Sequence, residues 1–333
     1  MCVSLHPASF TDTIVGTFDG PDGRRYLAYQ NTAANLIRGN AAQVATPTTR
    51  STRSGKASTT PTNRRRGAKV GNWQFEEAVT PSAINANIGA GNAMILPIPD
   101  AVGNIELIDT TTCPNFLKDI RSALTPRGRS MTRGAFLGGA DSKSVRIINF
   151  DVYTIVIAKN ARDLTKAVAS DAVPADRRPA INSALIKAYT KWYPGWAIAV
   201  CCFSNTEAKR AKPLLFSYEP TKQVDPDFLF VPTLDCHDGG VPDLTAKVDV
   251  DHTIFVGIGD FPESHGMTVL YSDSAIAPGI RELLPRQVNG KVVSGQYRNG
   301  DVVFKRSELQ AGIVRGLRAL PPGADQEVPK EFI

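Results

Sequence analysis

The stretch from Ala45 to Asn72, ATPTTRSTRSGKASTTPTNRRRGAKVGN, contains no Leu, Ile, Met, Phe, Tyr or Trp. Dense in Thr, Ser, Pro and Arg, it cannot bury enough surface to offset the entropy of ordering it. Any core must therefore be assembled from the residues before and after it. The stretch itself is expected to be a disordered, basic insertion within a domain.

It also concentrates the charge. The 333 residues carry 38 Lys and Arg against 32 Asp and Glu, a formal +6. Arg50, Arg53, Lys56, Arg64, Arg65, Arg66 and Lys69 all lie in this stretch with no acid among them, so removing these seven from +6 leaves −1 for the rest. A basic arm of this kind can release counterions from nucleic acid and bind it without sequence preference, in a salt-dependent way. No recognition helix or RNP-like aromatic strand accompanies it. An acidic protein partner, or a neighbouring subunit in an oligomer, therefore stands beside nucleic acid as its contact.

The remaining composition, 42% hydrophobic and 21% charged, is that of an ordinary globular protein of one large domain or two modest ones. No basic segment followed by an apolar one opens the chain. Its longest apolar run, WAIAVCCF (196 to 203), is far short of the ~20 residues a membrane helix needs. A cytoplasmic protein with no membrane contact is expected. Cys2, Cys113, Cys201, Cys202 and Cys236 show no CxxC spacing, which argues against a zinc ribbon or a disulfide framework. No metal or cofactor is expected.

The pattern of elements predicts an α+β protein, β-rich, with mainly antiparallel sheets and a few packed helices. Cys2 to Leu5 reads as a strand, and DTIVGTFDGPDGRRYLAYQNT as a hairpin pairing Thr13 to Phe18 with Arg25 to Gln30. NAMILPIPD is a short strand stopped by its prolines. Helices are predicted over 114–124, 162–170, 177–192 and 307–319, the first with Cys113 at its start, where the helix dipole would lower a thiol pKa. VRIINFDVYTIVIA reads as one strand and GWAIAVCCFS as another, the latter placing Cys201 and Cys202 on opposite faces. Asn299-Gly300 is predicted to turn a hairpin within GKVVSGQYRNGDVVFK. This organisation gives an N-terminal β-rich half over 1–144 that carries the insertion, a C-terminal α+β half over 145–320 and a flexible tail over 321–333.

Several pieces together resemble an uncharacterised family of bacterial exported proteins whose mature chains begin near a Cys-Gly-Gly segment. The matching pieces are Cys2, ILPIP (95–99), YTIVIA (153–158), Val173-Pro174, ALIKAY (184–189), WAIAV and PLLFSY. Val3 and Ser4 stand where that family has glycines. The resemblance implies the order of elements and a chain that starts at cysteine; that family has no established activity.

Two clusters have the composition of chemical sites. Removal of Met1 would leave Cys2 as the terminal residue, with its own α-amine as the base that activates the thiol, the arrangement of N-terminal nucleophile hydrolases. Asn31 or Asn92 would then supply an oxyanion donor. The second cluster is LDCHDGGVPDL with VDVDHTIF, where Cys236, His237 and His252 offer a thiol and imidazoles beside carboxylates; its alternative reading is a polar β-turn. Two functions follow: an N-terminal-cysteine hydrolase of amide or peptide bonds, or a non-catalytic structural or binding protein that uses 45–72 to contact a partner.

Overall fold

Pro7 breaks the first extended segment after Val3–Ser4, here β1, and a long hairpin follows, β2 (Ala8–Asp19) and β3 (Arg25–Asn35). The computed structural model describes residues 3–35, 91–100, 102–125, 145–159, 161–204, 211–222, 224–262 and 265–321. Cys2, the basic stretch 45–72 and the tail from 322 on lie outside the described residues. The hairpin has the expected register, with Phe18 opposite Tyr26 and their rings stacked at 5.1 Å. Its ladder is interrupted between Thr11 and Ile14, where Asp12 adopts φ +58° and the strand bulges.

The chain re-enters as β4 (Gly91–Ile98) and continues through β5 (Glu106–Leu107) and α1 (Phe116–Leu124). Beyond residue 144 come β6 (Val145–Phe150), β7 (Tyr153–Ala158), α2 (Ala161–Val168), α3 (Ser183–Trp192) and β8 (Ala197–Ser204). Next are β9 (Leu214–Tyr218), β10 (Phe228–Val231), β11 (Lys247–Gly257), β12 (Met267–Thr268) and α4 (Pro278–Leu283). The described chain closes with β13 (Gln287–Arg298), β14 (Asp301–Lys305), α5 (Arg306–Gln310) and β15 (Leu317–Leu320).

Three sheets result, ordered β1-β4-β8-β7-β6, β12-β13-β11-β2-β3-β9-β5 and β10-β14-β15. Among the described residues every strand pair is antiparallel except β11 with β2, so the β-rich α+β class expected from sequence is what the chain forms. Both large sheets take strands from before and after residue 145.

The two large sheets meet through a shared apolar cluster, with Val15, Tyr29 and Ile254 from one and Leu96, Ile155 and Cys201 from the other. Helices α2 and α3 cover the far face of the five-stranded sheet through Leu164, Val168, Leu185 and Tyr189, against Ile95, Val156 and Cys202. Helix α1 does the same for the seven-stranded sheet, setting Phe116, Leu117 and Ile120 against Ile14, Phe18 and Phe255. Strand β8 is thus buried on both faces, which explains its unbroken apolar run. Period-2 alternation sends Cys201 to the inter-sheet core and Cys202 to the helical side.

Four local expectations are corrected. The segment 145–158 is a hairpin, not one strand: Phe150 lies opposite Tyr153, and Asp151 turns the chain at φ +54°. The helix expected from 177 is a 3-10 turn at Ala175–Arg177 followed by α3, which starts late because Asn182 caps it by accepting from Ala184 N at 2.9 Å. Asn299-Gly300 does not make a hairpin; β13 pairs with β11 and β12, β14 with β10 and β15, so this dipeptide carries the chain from one sheet to another. The helix expected over 307–319 ends after Gln310. Gly312, at φ +77°, donates to Leu309 O, and Ile313 N bonds Glu308 O at 2.8 Å. That is a Schellman closure, and the chain leaves it to form β15.

Candidate functional site

Residues 3 to 8 run in a slot between β4 and the loop that follows β10. On one side Val3 faces Ile95 and Ser4 faces Met94, with Leu5 N donating to Ala93 O at 3.0 Å. On the other, Val3 bridges Cys236 in parallel, Ser4 N bonds Cys236 O at 2.9 Å and Ala8 N bonds His237 O at 2.9 Å. Val3, Ser4 and Leu5 are buried, and Cys2, outside the described residues, immediately precedes them.

Asn92 continues the ladder where β1 ends. Its Oδ1 accepts from His6 N at 3.0 Å while its Nδ2 donates to His6 O at 3.2 Å. The side-chain amide therefore pairs a backbone N–H and C=O as a neighbouring strand would. The same Oδ1 accepts from Ala93 N at 2.8 Å, so the amide is fixed in orientation. The His6 ring receives a bond from Ala180 N at Nε2, 3.1 Å away. Burial lowers the His6 pKa, consistent with a neutral ring whose Nε2 is an acceptor.

The loop side is braced by its own polar groups. Gly239 has φ +83°, and a Cβ there would stand 2.6 Å from Leu5 O, so only glycine allows the loop to approach the strand. Asn182 Nδ2, at the head of α3, donates to Gly239 O at 3.1 Å. Asn299 Oδ1 accepts from Asp235 N at 2.9 Å, and its Nδ2 donates to Asp235 O at 2.8 Å and Asp243 O at 3.1 Å. The next residue, Asp301, is fully buried. It accepts from Thr233 N and Leu234 N, each at 2.7 Å, and from Tyr193 Oη at 2.5 Å.

Within this loop the Cys236 thiol donates to Asp238 Oδ1 at 2.9 Å. Burial, then the Asp238 carboxylate, push the thiol up to about 12. It is a protonated hydrogen-bond donor at neutral pH and not a thiolate. The thiol bond in turn holds the Asp238 carboxyl below its usual range. His237 Nε2 lies 2.7 Å from Asp235 Oδ1, and the ring meets Phe10 edge-on with centroids 5.0 Å apart.

The slot thus gathers Asn92, Cys236 and His237 around the residues that follow Cys2. Asn31 and His252 sit elsewhere. Asn31 is buried, donating to Tyr29 Oη at 3.0 Å and accepting from Tyr153 Oη at 3.5 Å. His252 is a buried residue of β11, opposite Thr13 and Val293. Cys113 shows the reverse of the dipole expectation: burial, followed by the charges of Asp273 and Asp109, raises its pKa to about 12. Among the described residues no three His, Cys, Asp or Glu side chains converge to hold a metal ion. Sequence reasoning missed Asn182, Asn299 and Asp301. For Asn299 and Asp301 the visible signal was the Asn-Gly-Asp run at 299–301, which has the composition of a turn; for Asn182 it was its place before the apolar stripe of α3, that of a helix cap.

The described residues on either side of 36–90 lie beside this slot. Asn35, the last residue of β3, faces Ala8, and Asn92, one residue into β4, holds His6. The basic candidates Arg50 to Lys69 lie between these points, outside the described residues.

No protein-family model matches the chain, and no curated protein is similar to it. Solved structures similar to it include baculovirus P35, with 12% identity over 92% of both chains and a TM-score of 0.38. P35 in complex with caspase-8 shows 12% identity over 90% of this chain and 89% of that one, with a TM-score of 0.34. A mutated baculovirus P35 after caspase cleavage shows 11% identity over 89% and 91%, with a TM-score of 0.32. Likeness at this level assigns no activity.

Proposed function

We propose that this chain is a non-catalytic binding protein whose sandwich holds both ends of the 36–90 segment and offers its basic stretch to an acidic protein surface. The observation that carries this reading is the pairing of Asn35 with Ala8 and of Asn92 with His6, two residues apart. Recognition residues are commonly displayed on long segments whose ends are positioned by a rigid scaffold.

A protein partner is favoured over nucleic acid by the sequence around the charges. The body is nearly neutral and adds no net basic surface for phosphate contacts. Trp73 and Phe75 follow the last of the seven basic residues, Lys69, by four and six positions, and the acids Glu76 and Glu77 come next. Aromatic anchors beside arginines are what protein interfaces use as hot spots. The catalytic reading finds less support, because the Asn92 amide is engaged with His6 and the Cys236 thiol is protonated.

Anisotropy titrations of a labelled acidic peptide and of a short DNA duplex against the full chain test the reading. Neutralising all seven basic residues should abolish peptide binding. Trp73→Ala should weaken the peptide and spare the duplex. Equal effects of Trp73→Ala on both probes, or peptide binding that survives neutralisation, would contradict it. A hydrolase would announce itself by removal of Met1 and an acyl adduct on Cys2 in the intact mass.

A further inference from the structure

Asparagine followed by glycine occurs twice in the chain, at 289–290 and at 299–300. In this dipeptide the asparagine amide is open to attack by the next backbone nitrogen, because glycine puts no side chain beside the reacting atoms. The fold treats the two pairs differently. Asn299 is buried, and its amide is fixed by three bonds to another segment, at Asp235 N, Asp235 O and Asp243 O. Asn289 is half-buried near the start of β13, opposite Val256 of β11. Its Oδ1 accepts from Gly290 N at 2.6 Å, and its Nδ2 donates to the carbonyl of His265. Gly290 N thus lies against the carbonyl whose carbon it would attack, a contact from which near-attack conformers, with reacting atoms about 3–3.5 Å apart, are readily reached. Gly290 has φ +154°, and a Cβ there would collide with Ile254 O. The packing of β13 on β11 therefore demands the residue that leaves Asn289 open to attack.

We propose that Asn289-Gly290 is a site of spontaneous backbone modification, through which the folded protein ages at the corner between β12 and β13. Gly290 N gives its proton to hydroxide and attacks Asn289 Cγ. The Cγ–Nδ2 bond breaks, Nδ2 takes a proton from water and leaves as ammonia, hydroxide is regenerated, and a five-membered succinimide closes. Water then opens the ring. Cleavage of the bond from Gly290 N to Cγ leaves aspartate at 289. Cleavage of the bond to the main-chain carbonyl leaves isoaspartate, with the chain rerouted through the side chain. Nothing is oxidised or reduced. Either product removes the Nδ2 donor from the His265 carbonyl and adds a negative charge. Isoaspartate also lengthens the backbone by one atom between Val288, which faces Met267 of β12, and Gly290, which faces Phe255 of β11. Strand β13 can then keep its register with one neighbour but not with both.

The test is peptide mapping of the full chain after incubation in mildly alkaline buffer, with and without urea. Cleavage after Lys and Arg separates the two pairs, as 287–291 and 299–305. Isoaspartyl methyltransferase with a labelled methyl donor marks the isoaspartate product. In urea, where the dipeptide alone acts, the two pairs should react within a few-fold of each other. In the folded chain 287–291 should keep a rate within a few-fold of its urea value and rise with pH, while 299–305 slows by at least about tenfold. Asn289→Gln, which keeps an amide but would have to close a larger ring, should leave 287–291 unlabelled. Aged wild type should lose hydrogen-exchange protection at 267–268, and Asn289→Asp should reproduce the part of that loss due to the missing donor. A folded chain in which Asn289 is as protected as Asn299, label absent from 287–291, or unchanged exchange at 267–268 in labelled protein would each overturn the proposal.

Discussion

At the residue scale, the slot depends on side chains that imitate backbone. Asn92 satisfies both main-chain groups of His6, and leaving a buried donor and acceptor without partners costs about 1–3 kcal/mol each. Asn92→Ala should therefore destabilise the chain by roughly 2–6 kcal/mol in a urea titration; a loss within the scatter of surface substitutions would show that the bracket carries no weight. His6 makes stability depend on pH. Its folded pKa is lowered by burial, so the unfolded chain binds the proton more readily. The His6 contribution is complete above the unfolded value near 6.5 and is lost as pH falls below it toward the folded pKa. Stability curves of wild type and His6→Gln should run parallel above about pH 7 and converge below it. The Cys236 thiol, pushed to about 12, should react with iodoacetamide at pH 8 far more slowly than an exposed cysteine. Asp238→Asn should speed that reaction. Cys236 and His237 were recognisable as chemical residue types. Their neighbours were not, because Asn92 and residues 3 to 8 reach them only through pairing across most of the chain's length.

At the element scale, periodicity was legible wherever both faces of an element have a definite environment. Strand β8 and the β2–β3 hairpin are cases: both are runs buried on both faces, and the hairpin turns at Gly-Pro-Asp. The misreadings all concern where the chain stops or changes partner. Apolar residues continue through 145–158, so nothing in hydropathy marks the turn at Asp151. The Asn299-Gly300 pair has hairpin chemistry, yet Asn299 spends its amide on Asp235 and Asp243, and the flanking strands enter different sheets. The heptad-like pattern after Ser307 hid the stop at Gly312. A residue with a Cβ at φ +77° pays about 1–2 kcal/mol. Gly312→Ala is therefore expected to lower stability by that amount, and Gly239→Ala by more, since its Cβ would also meet Leu5 O at 2.6 Å. If thermal melts rank the two variants in the opposite order, the close approach of the loop to β1 is not a constraint.

At the scale of the whole molecule, strands from before and after residue 145 join in both large sheets, side by side in the five-stranded one and interleaved in the seven-stranded one. The basic stretch interrupts the chain without interrupting the core, because residues 6 to 8 engage Asn35 on one side and Asn92 on the other. That separation was foreseeable from a stretch with no large apolar side chain. The position of its ends was not, since it follows from the pairing of β3 and β4 with one N-terminal segment. The most direct test is to replace residues 36–90 with a Gly/Ser linker of about a quarter the length. Closure entropy changes only slowly with the length of a connection. The account predicts a cooperatively folded protein at least as stable as the parent in urea, with acidic-peptide binding gone. A shortened chain that fails to fold, or one that still binds the peptide, would contradict it.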